Sequence, residues 1–144
     1  MDTKRYEIKA TEKVIKSGIL SGFLGSWGDA FYGGPYVQKF EKKFAGMHDS
    51  NFGVSVNSCT SGLIAAVGAI GCAPGDEVIV PPLTMSATAT SAVIFGAIPI
   101  FADVDPITSS IDPKSVEKLI SKRTKAIIVT HWFGYPVDMD PIIK

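Results

Sequence analysis

Phe52-Gly53-Val54-Ser55-Val56-Asn57-Ser58-Cys59-Thr60-Ser61-Gly62-Leu63 carries the chain from one apolar run into another that continues to Ile70. The first run reads as a buried strand and the second as a helix. The polar residues between them fall where a strand hands the chain to a helix N-terminus. Free backbone N–H groups and the positive end of the helix dipole meet there, and both favour an anion. A phosphate is the anion expected in such a turn. The same residues also suit an ordinary N-cap made by Ser58 or Thr60 with no ligand, and caps are commoner than phosphate sites.

Outward from this turn the chain alternates. Strand Gly53–Val56 leads to helix Ser61–Ile70, and Gly71 to Asp76 is a turn. Strand Glu77–Val80 leads through Pro81-Pro82-Leu83-Thr84 to a helix near Ser86–Phe95, which Gly96 ends. Strand Ile98–Ala102 follows. Asp112 caps a helix with Pro113 at its first position, the favoured place for proline. Val116, Leu119 and Ile120 form its apolar stripe. Strand Lys125–Thr130 is apolar through Ala126-Ile127-Ile128-Val129, the pattern of a parallel strand buried on both faces. Four parallel strands with helices between them make an α/β fold with right-handed crossovers.

Upstream, Tyr6 to Ser17 reads as a helix with Val14 and Ile15 facing inward. Val37 to Met47 reads as a second, with Val37, Phe40, Phe44 and Met47 on one face. Between them Gly18 to Pro35 is a glycine-rich loop containing Phe23, Trp27, Phe31 and Tyr32. Its aromatic content argues against simple disorder, and it suits packing on its own domain, on a partner subunit or around a substrate. We read residues 1–144 as a single incomplete domain: an N-terminal helix and loop over 1–35, then the α/β portion over 36–144.

Composition narrows the function classes. The 14 Lys and Arg residues balance the 14 Asp and Glu residues, so no basic stripe points to nucleic acid. The start has no apolar signal core, and no run approaches the ~18 apolar residues of a membrane span. Cys59 and Cys72 match no metal or disulfide spacing. A reducing cytoplasm, with no membrane partner, is the expectation.

Ligands of open α/β sheets collect outside the carboxyl ends of the strands. The segments there are Asn57–Gly62, Pro81–Thr88, Asp103–Thr108 and Thr130–Gly134. Asp103 and Asp105 resemble a metal pair, but aspartate after a strand more often bonds its own backbone in a turn. His131 follows the last strand and either approaches a ligand or serves as a hydrogen-bonded structural residue. Cys59 sits where thiolates are stabilised, yet has no basic neighbour in sequence.

Several segments together resemble one family. They are Gly33-Gly34-Pro35-Tyr36-Val37 with Phe40-Glu41 and Phe44-Ala45, the Asn57–Leu63 turn, and Pro74-Gly75-Asp76-Glu77-Val78-Ile79-Val80-Pro81 with Thr84 and Ala87-Thr88. Gly96-Ala97-Ile98-Pro99-Ile100-Phe101 with Asp103 and Asp105 continues the pattern. Ile111-Asp112-Pro113, Thr124-Lys125-Ala126-Ile127 and Gly134 with Asp138-Met139-Asp140 complete it. In order and spacing these are similar to the DegT/DnrJ/EryC1/StrS sugar aminotransferases, pyridoxal-phosphate enzymes of the aspartate-aminotransferase fold (fold type I). The resemblance covers the chain from about Gly18 onward and implies the parallel-sheet portion of that fold's large domain.

The resemblance implies that the backbone of Cys59, Thr60 and Ser61, with the Thr60 hydroxyl, holds the phosphate of pyridoxal 5'-phosphate. It places Met85 over the cofactor ring, where the family often has an aromatic residue; a sulfur–ring contact of ~0.3–1.5 kcal/mol preserves that role in softer form. Thr84 supports the same turn or caps the helix after it. The implied partners are a nucleotide-linked keto-sugar, an amino donor such as glutamate, and a second subunit or a complementary fragment.

Transamination also needs a lysine to carry the cofactor and move the proton, and a carboxylate to hold the pyridine nitrogen protonated. No lysine here stands in the family's lysine context; Lys125 begins a strand, at the end away from the binding edge. We therefore read the chain as the truncated N-terminal part of such an enzyme, inactive alone, with no catalytic and no metal-binding residue of its own. The alternatives are a non-catalytic remnant or interaction module, and part of a related sugar dehydratase in which histidine replaces the lysine.

Overall fold

A computed structural model describes residues 3–144. It divides into two compact units, Met1–Ser55 and Val56–Lys144.

The first unit is helical. Helix α1 (Thr3–Ser17) and helix α2 (Pro35–Met47) flank the aromatic loop, in which Asp29–Tyr32 forms a 3-10 turn. Proline at the first position of α2 presets its φ and sacrifices only an N–H that no helix would use. Val14 is partly covered, but Ile15, expected to face inward, is 64% exposed. The loop closes through Gly34 N–H to the Ser21 carbonyl at 2.7 Å. A Cβ on Gly22 would meet Gly34 Cα at 2.7 Å, so this crossing requires glycine. Trp27 stacks on Phe31 with ring centroids 4.4 Å apart, yet Trp27 remains 82% exposed.

The second unit holds the sheet. Strands β1 (Glu77–Val80), β2 (Ile98–Phe101) and β3 (Thr124–Ile127) are parallel in the order β2-β1-β3. Helices α3 (Cys59–Ala69), α4 (Ala87–Val93), α5 (Pro113–Leu119) and α6 (Asp140–Ile143) complete it. In β1 successive side chains point to opposite faces. Val78 and Val80 pack with Val67 of α3, Ala92 of α4, Cys72 and Ala97. Ile79 packs on the other face with Ala102, Ile111 and Val116 of α5, and Ile142 of α6 leans on that cluster. Helices thus cover both faces, which is why β1 is wholly apolar after Glu77.

Three of the four expected strands form, and Gly53–Val56 does not. That segment pairs with no strand; Val54 is 82% exposed. Its local bonds go to a helix instead. Ser55 donates from its N–H (2.7 Å) and its hydroxyl (2.8 Å) to Glu41 Oε1, and a Cβ on Gly53 would meet the Glu41 carbonyl at 2.8 Å. An apolar run in the sequence reports what a strand could bury, not whether an edge lies beside it to pair with.

Local signals set the element ends. Asp112 caps α5, accepting from Lys114 N–H at 3.0 Å, with Pro113 next. Gly96, at φ +72°, ends α4 where a Cβ would press on Pro74. Asp105 serves its own turn, accepting from Ile107 N–H (2.9 Å) and Thr108 N–H (2.8 Å). Those bonds, the Thr108 one foremost, hold its carboxyl below the usual range. No described helix is long and apolar enough to cross a membrane.

Candidate functional site

The carboxyl ends of β1 and β3 and the amino ends of α3 and α4 enclose a cleft of about 450 Å³. Cys59, Thr60 and Leu63 line it from α3; Thr84, Met85, Ala87 and Thr88 from the turn into α4; and Ile128 to Trp132 from the chain after β3. A larger hollow along α1, beside Ile8 and Ile15, is an open groove on one helix, with no polar groups converging on it from other elements.

Helix α3 begins as its sequence dictates. Ser58 has extended backbone and its Oγ accepts from Ser61 N–H at 3.1 Å, an N-cap. Gly62 N–H makes the first backbone bond, to the Ser58 carbonyl at 3.1 Å. The N–H groups of Cys59 and Thr60 donate to no acceptor among the described residues, as the first turn of a helix requires. The cap and the open donors therefore coexist: Ser58 consumes one N–H and leaves two facing the amino end.

The four residues expected to hold a cofactor are placed unequally. Cys59, Thr60 and Met85 line the one cleft. Ser61 stands outside that lining. Its N–H is spent on Ser58, and its hydroxyl donates to Asn57 Oδ1 at 2.6 Å. Met85 is 73% exposed, so its thioether is free to lie along a ligand.

Behind Met85 three hydroxyls form a chain. Thr130 Oγ1 donates to Thr84 Oγ1 at 3.2 Å, and Thr84 Oγ1 lies 2.9 Å from Thr88 Oγ1. Thr88 is buried, and its carbonyl accepts from the Ser91 hydroxyl at 2.9 Å. Thr84 thus joins two elements, and with hydroxyl partners alone it supports the turn and does not cap α4. Thr130 and Trp132 fall in the edge segment Thr130–Gly134 expected from sequence, where neither had a role of its own. The signal for the segment was position, one and three residues past the apolar run Ala126–Val129; β3 itself ends at Ile127 and is a half-buried edge strand, not one buried on both faces.

His131 Nδ1 accepts from Val137 N–H at 3.2 Å, pinning the loop 131–137. Inside that loop Phe133 adopts φ +51°, an uncommon conformation for a bulky side chain, and is 92% exposed. The lining contains no lysine, arginine or carboxylate among the described residues. Its polarity comes from backbone donors, hydroxyls, one imidazole, one indole N–H and one thiol, and its walls from Leu63, Met85, Ile128 and Val129. That donor set fits a phosphate carried on a planar apolar ring: N–H groups and the Thr60 hydroxyl for the dianion, aliphatic and thioether surface for the ring.

An open parallel sheet with a helix amino end and an apolar cleft at its carboxyl edge is an α/β arrangement in which ligands collect at that edge. Comparison with known proteins is specific. A profile of the DegT/DnrJ/EryC1/StrS aminotransferase family matches residues 24–144, and the chain belongs to that family. It is 43% identical over 137 residues to the spore coat polysaccharide biosynthesis protein SpsC of Bacillus subtilis, covering 95% of this chain and 32% of that protein. It is 43% identical over 111 residues to GDP-perosamine synthase of Caulobacter vibrioides, covering 77% of this chain and 30% of that one. The crystal structure of NtdA from Bacillus subtilis with bound PMP superimposes with a TM-score of 0.84 at 30% identity, over 99% of this chain and 30% of that chain. The chain thus spans about a third of the length of the curated relatives it matches. Fold type I and pyridoxal phosphate are the fold and the cofactor of this family.

Proposed function

We propose that this chain supplies the phosphate-binding part of a pyridoxal-phosphate site in an aminotransferase that acts on a nucleotide-linked keto-sugar, with an amino acid such as glutamate as donor. The observation that carries the reading is the pair of N–H groups on Cys59 and Thr60, without a partner among the described residues, opening on a cleft with Met85 in its wall. The helix dipole adds ~0.3–1 kcal/mol per charge at such an end, and charge-assisted N–H bonds add more. The sugar class rests on the relatives, one named for GDP-perosamine and one for a coat polysaccharide.

Each residue has a task in this reading. Cys59 N–H, Thr60 N–H and the Thr60 hydroxyl hold the phosphate. Ser61 acts indirectly: its bonds to Ser58 and Asn57 fix the first turn so that the two open donors stay parallel. Met85 covers one ring face, and the Thr84–Thr88–Thr130 hydroxyls hold the turn that carries it. When bound, pyridoxal phosphate supplies an electron sink for the carbon that gains or loses the amino group. The lysine and carboxylate that such chemistry needs are absent from the cleft lining, so the chain by itself binds and does not turn over. We place them in a further part of the same enzyme or in a complementary chain.

The test is amide NMR of the chain titrated with pyridoxal 5'-phosphate and, separately, with pyridoxal. The phosphate ester is expected to move the Cys59 and Thr60 amides at concentrations where pyridoxal does not. Equal shifts with both compounds, or shifts elsewhere only, would remove the phosphate assignment.

A further inference from the structure

We infer that His131 is an oriented hydrogen-bond donor to the ligand of the cleft, with its tautomer fixed by the backbone of Val137. The inference rests on the cofactor reading above and adds to it a residue which that reading leaves without a role.

Three observations combine. His131 lines the same cleft as Cys59, Thr60 and Met85. Its Nδ1 accepts from Val137 N–H at 3.2 Å, and Val137 is buried while His131 is exposed. A neutral imidazole has one donor and one acceptor nitrogen. With Nδ1 accepting, the proton sits on Nε2, and Nε2 has no protein partner among the described residues. The lining therefore gains, beside the Trp132 indole, an imidazole N–H that cannot turn away without releasing the loop 131–137. The cleft otherwise offers the Trp132 indole N–H, hydroxyls, which rotate to donate or accept, and backbone donors at the amino ends of α3 and α4. A fixed N–H from the β3 side makes the cleft selective for a ligand with an oxygen acceptor on that side. Pyridoxal phosphate has three such groups, its ring hydroxyl oxygen, its aldehyde oxygen and its phosphate.

The bond to Val137 also gives His131 a purely local role, as a clip on the loop, and the experiment separates the two. Asparagine places an acceptor where Nδ1 stands but does not reach as far as Nε2. In His131→Asn the Val137 amide is expected to keep its protection from hydrogen exchange, while affinity for pyridoxal 5'-phosphate falls roughly tenfold, the scale of one lost bond to a charged or strongly polar acceptor. His131→Gln, whose amide nitrogen reaches the Nε2 position, is expected to recover part of that affinity. In the unaltered chain, imidazole nitrogen NMR is expected to report the Nε2-protonated tautomer and a shift of that nitrogen on adding the cofactor. Pyridoxal and inorganic phosphate as separate additions identify whether it serves the ring substituents or the phosphate.

Unchanged affinity in His131→Asn overturns the inference. So does a loss of affinity accompanied by loss of Val137 protection, which would make His131 a clip alone. Movement of the Cys59 and Thr60 amides with a silent His131 nitrogen also overturns it and leaves the phosphate reading standing. Silence at all three positions overturns both.

Discussion

Thr130 donates its hydroxyl to Thr84 at 3.2 Å, and so joins the end of the chain leaving β3 to the turn that carries Met85. The bond spans 46 residues of sequence and connects two walls of the cleft. Thr130→Val keeps the shape and removes the donor. Thr84 retains Thr88 as a partner, so no buried group is orphaned, and the expected loss of stability is only about 0.5–1.5 kcal/mol. Cofactor affinity is expected to fall further than stability does, because the turn under Met85 loosens. Urea melts and a cofactor titration on one preparation compare the two, and a stability loss with unaltered affinity would unlink the hydroxyl chain from the cleft.

Glu77 begins β1 with its side chain buried, accepting from the Ser121 hydroxyl and paired with Arg123. The Ser121 bond, then Arg123, hold its carboxyl below the usual range against the opposing effect of burial. A carboxyl lowered in the folded state binds fewer protons there than in the unfolded chain. Its contribution is therefore complete above the ordinary glutamate value of about 4.3 and is lost as pH falls through the lowered folded value. Glu77→Gln is expected to be less stable than the parent at neutral pH, with the gap closing as acid protonates the parent. Denaturant midpoints measured from neutral pH down through the carboxylate range check this. A gap that stays constant into acid would refute it.

Much of this was legible in the sequence, for physical reasons that differ by element. The apolar run of β1 and the Asp112-Pro113 start of α5 are local signals with local causes, and both stand where expected. Asp105 likewise takes the turn role that its place after a strand suggests. The failed strand, Gly53–Val56, depended on a neighbouring edge, which no local pattern encodes. Ser61 shows the same limit at finer grain. Its place in the first turn of a helix is readable, but the capture of its N–H by Ser58 is a competition between two acceptors that only geometry decides. The Thr84–Thr88–Thr130 chain joins residues far apart in sequence, each of which alone is an ordinary hydroxyl.

Trp27 is 82% exposed, Tyr32 62% and Phe23 50% in the loop between α1 and α2. Fully burying such a side chain is worth about 1.5–3 kcal/mol, so this surface favours a cover. We expect the cover to be a second subunit or a complementary part of the enzyme. Trp27→Ser is then expected to weaken self-association or reconstitution while leaving the urea midpoint of the monomer nearly unchanged, since little of the ring is buried within the chain. Sedimentation and denaturant melts measure the two effects separately. A large drop in monomer stability would mean that the loop packs on its own unit instead.

The last expectation concerns turnover. The cleft lining offers donors, hydroxyls and apolar walls, but no lysine to carry the cofactor or relay the proton and no carboxylate to hold the ring nitrogen. Binding determinants without a base give affinity without rate, because only groups that act in the transition state accelerate the step. The purified chain, supplied with pyridoxal 5'-phosphate, glutamate and nucleotide-linked keto-sugars, is expected to form no 2-oxoglutarate beyond a single equivalent. Absorbance is a poor readout here, since exposed lysines such as Lys42 and Lys114 condense with the free aldehyde. Product counted per chain avoids that ambiguity. Repeated turnover that one lysine substitution abolishes would locate a catalytic base in this chain and overturn the division of labour proposed for it.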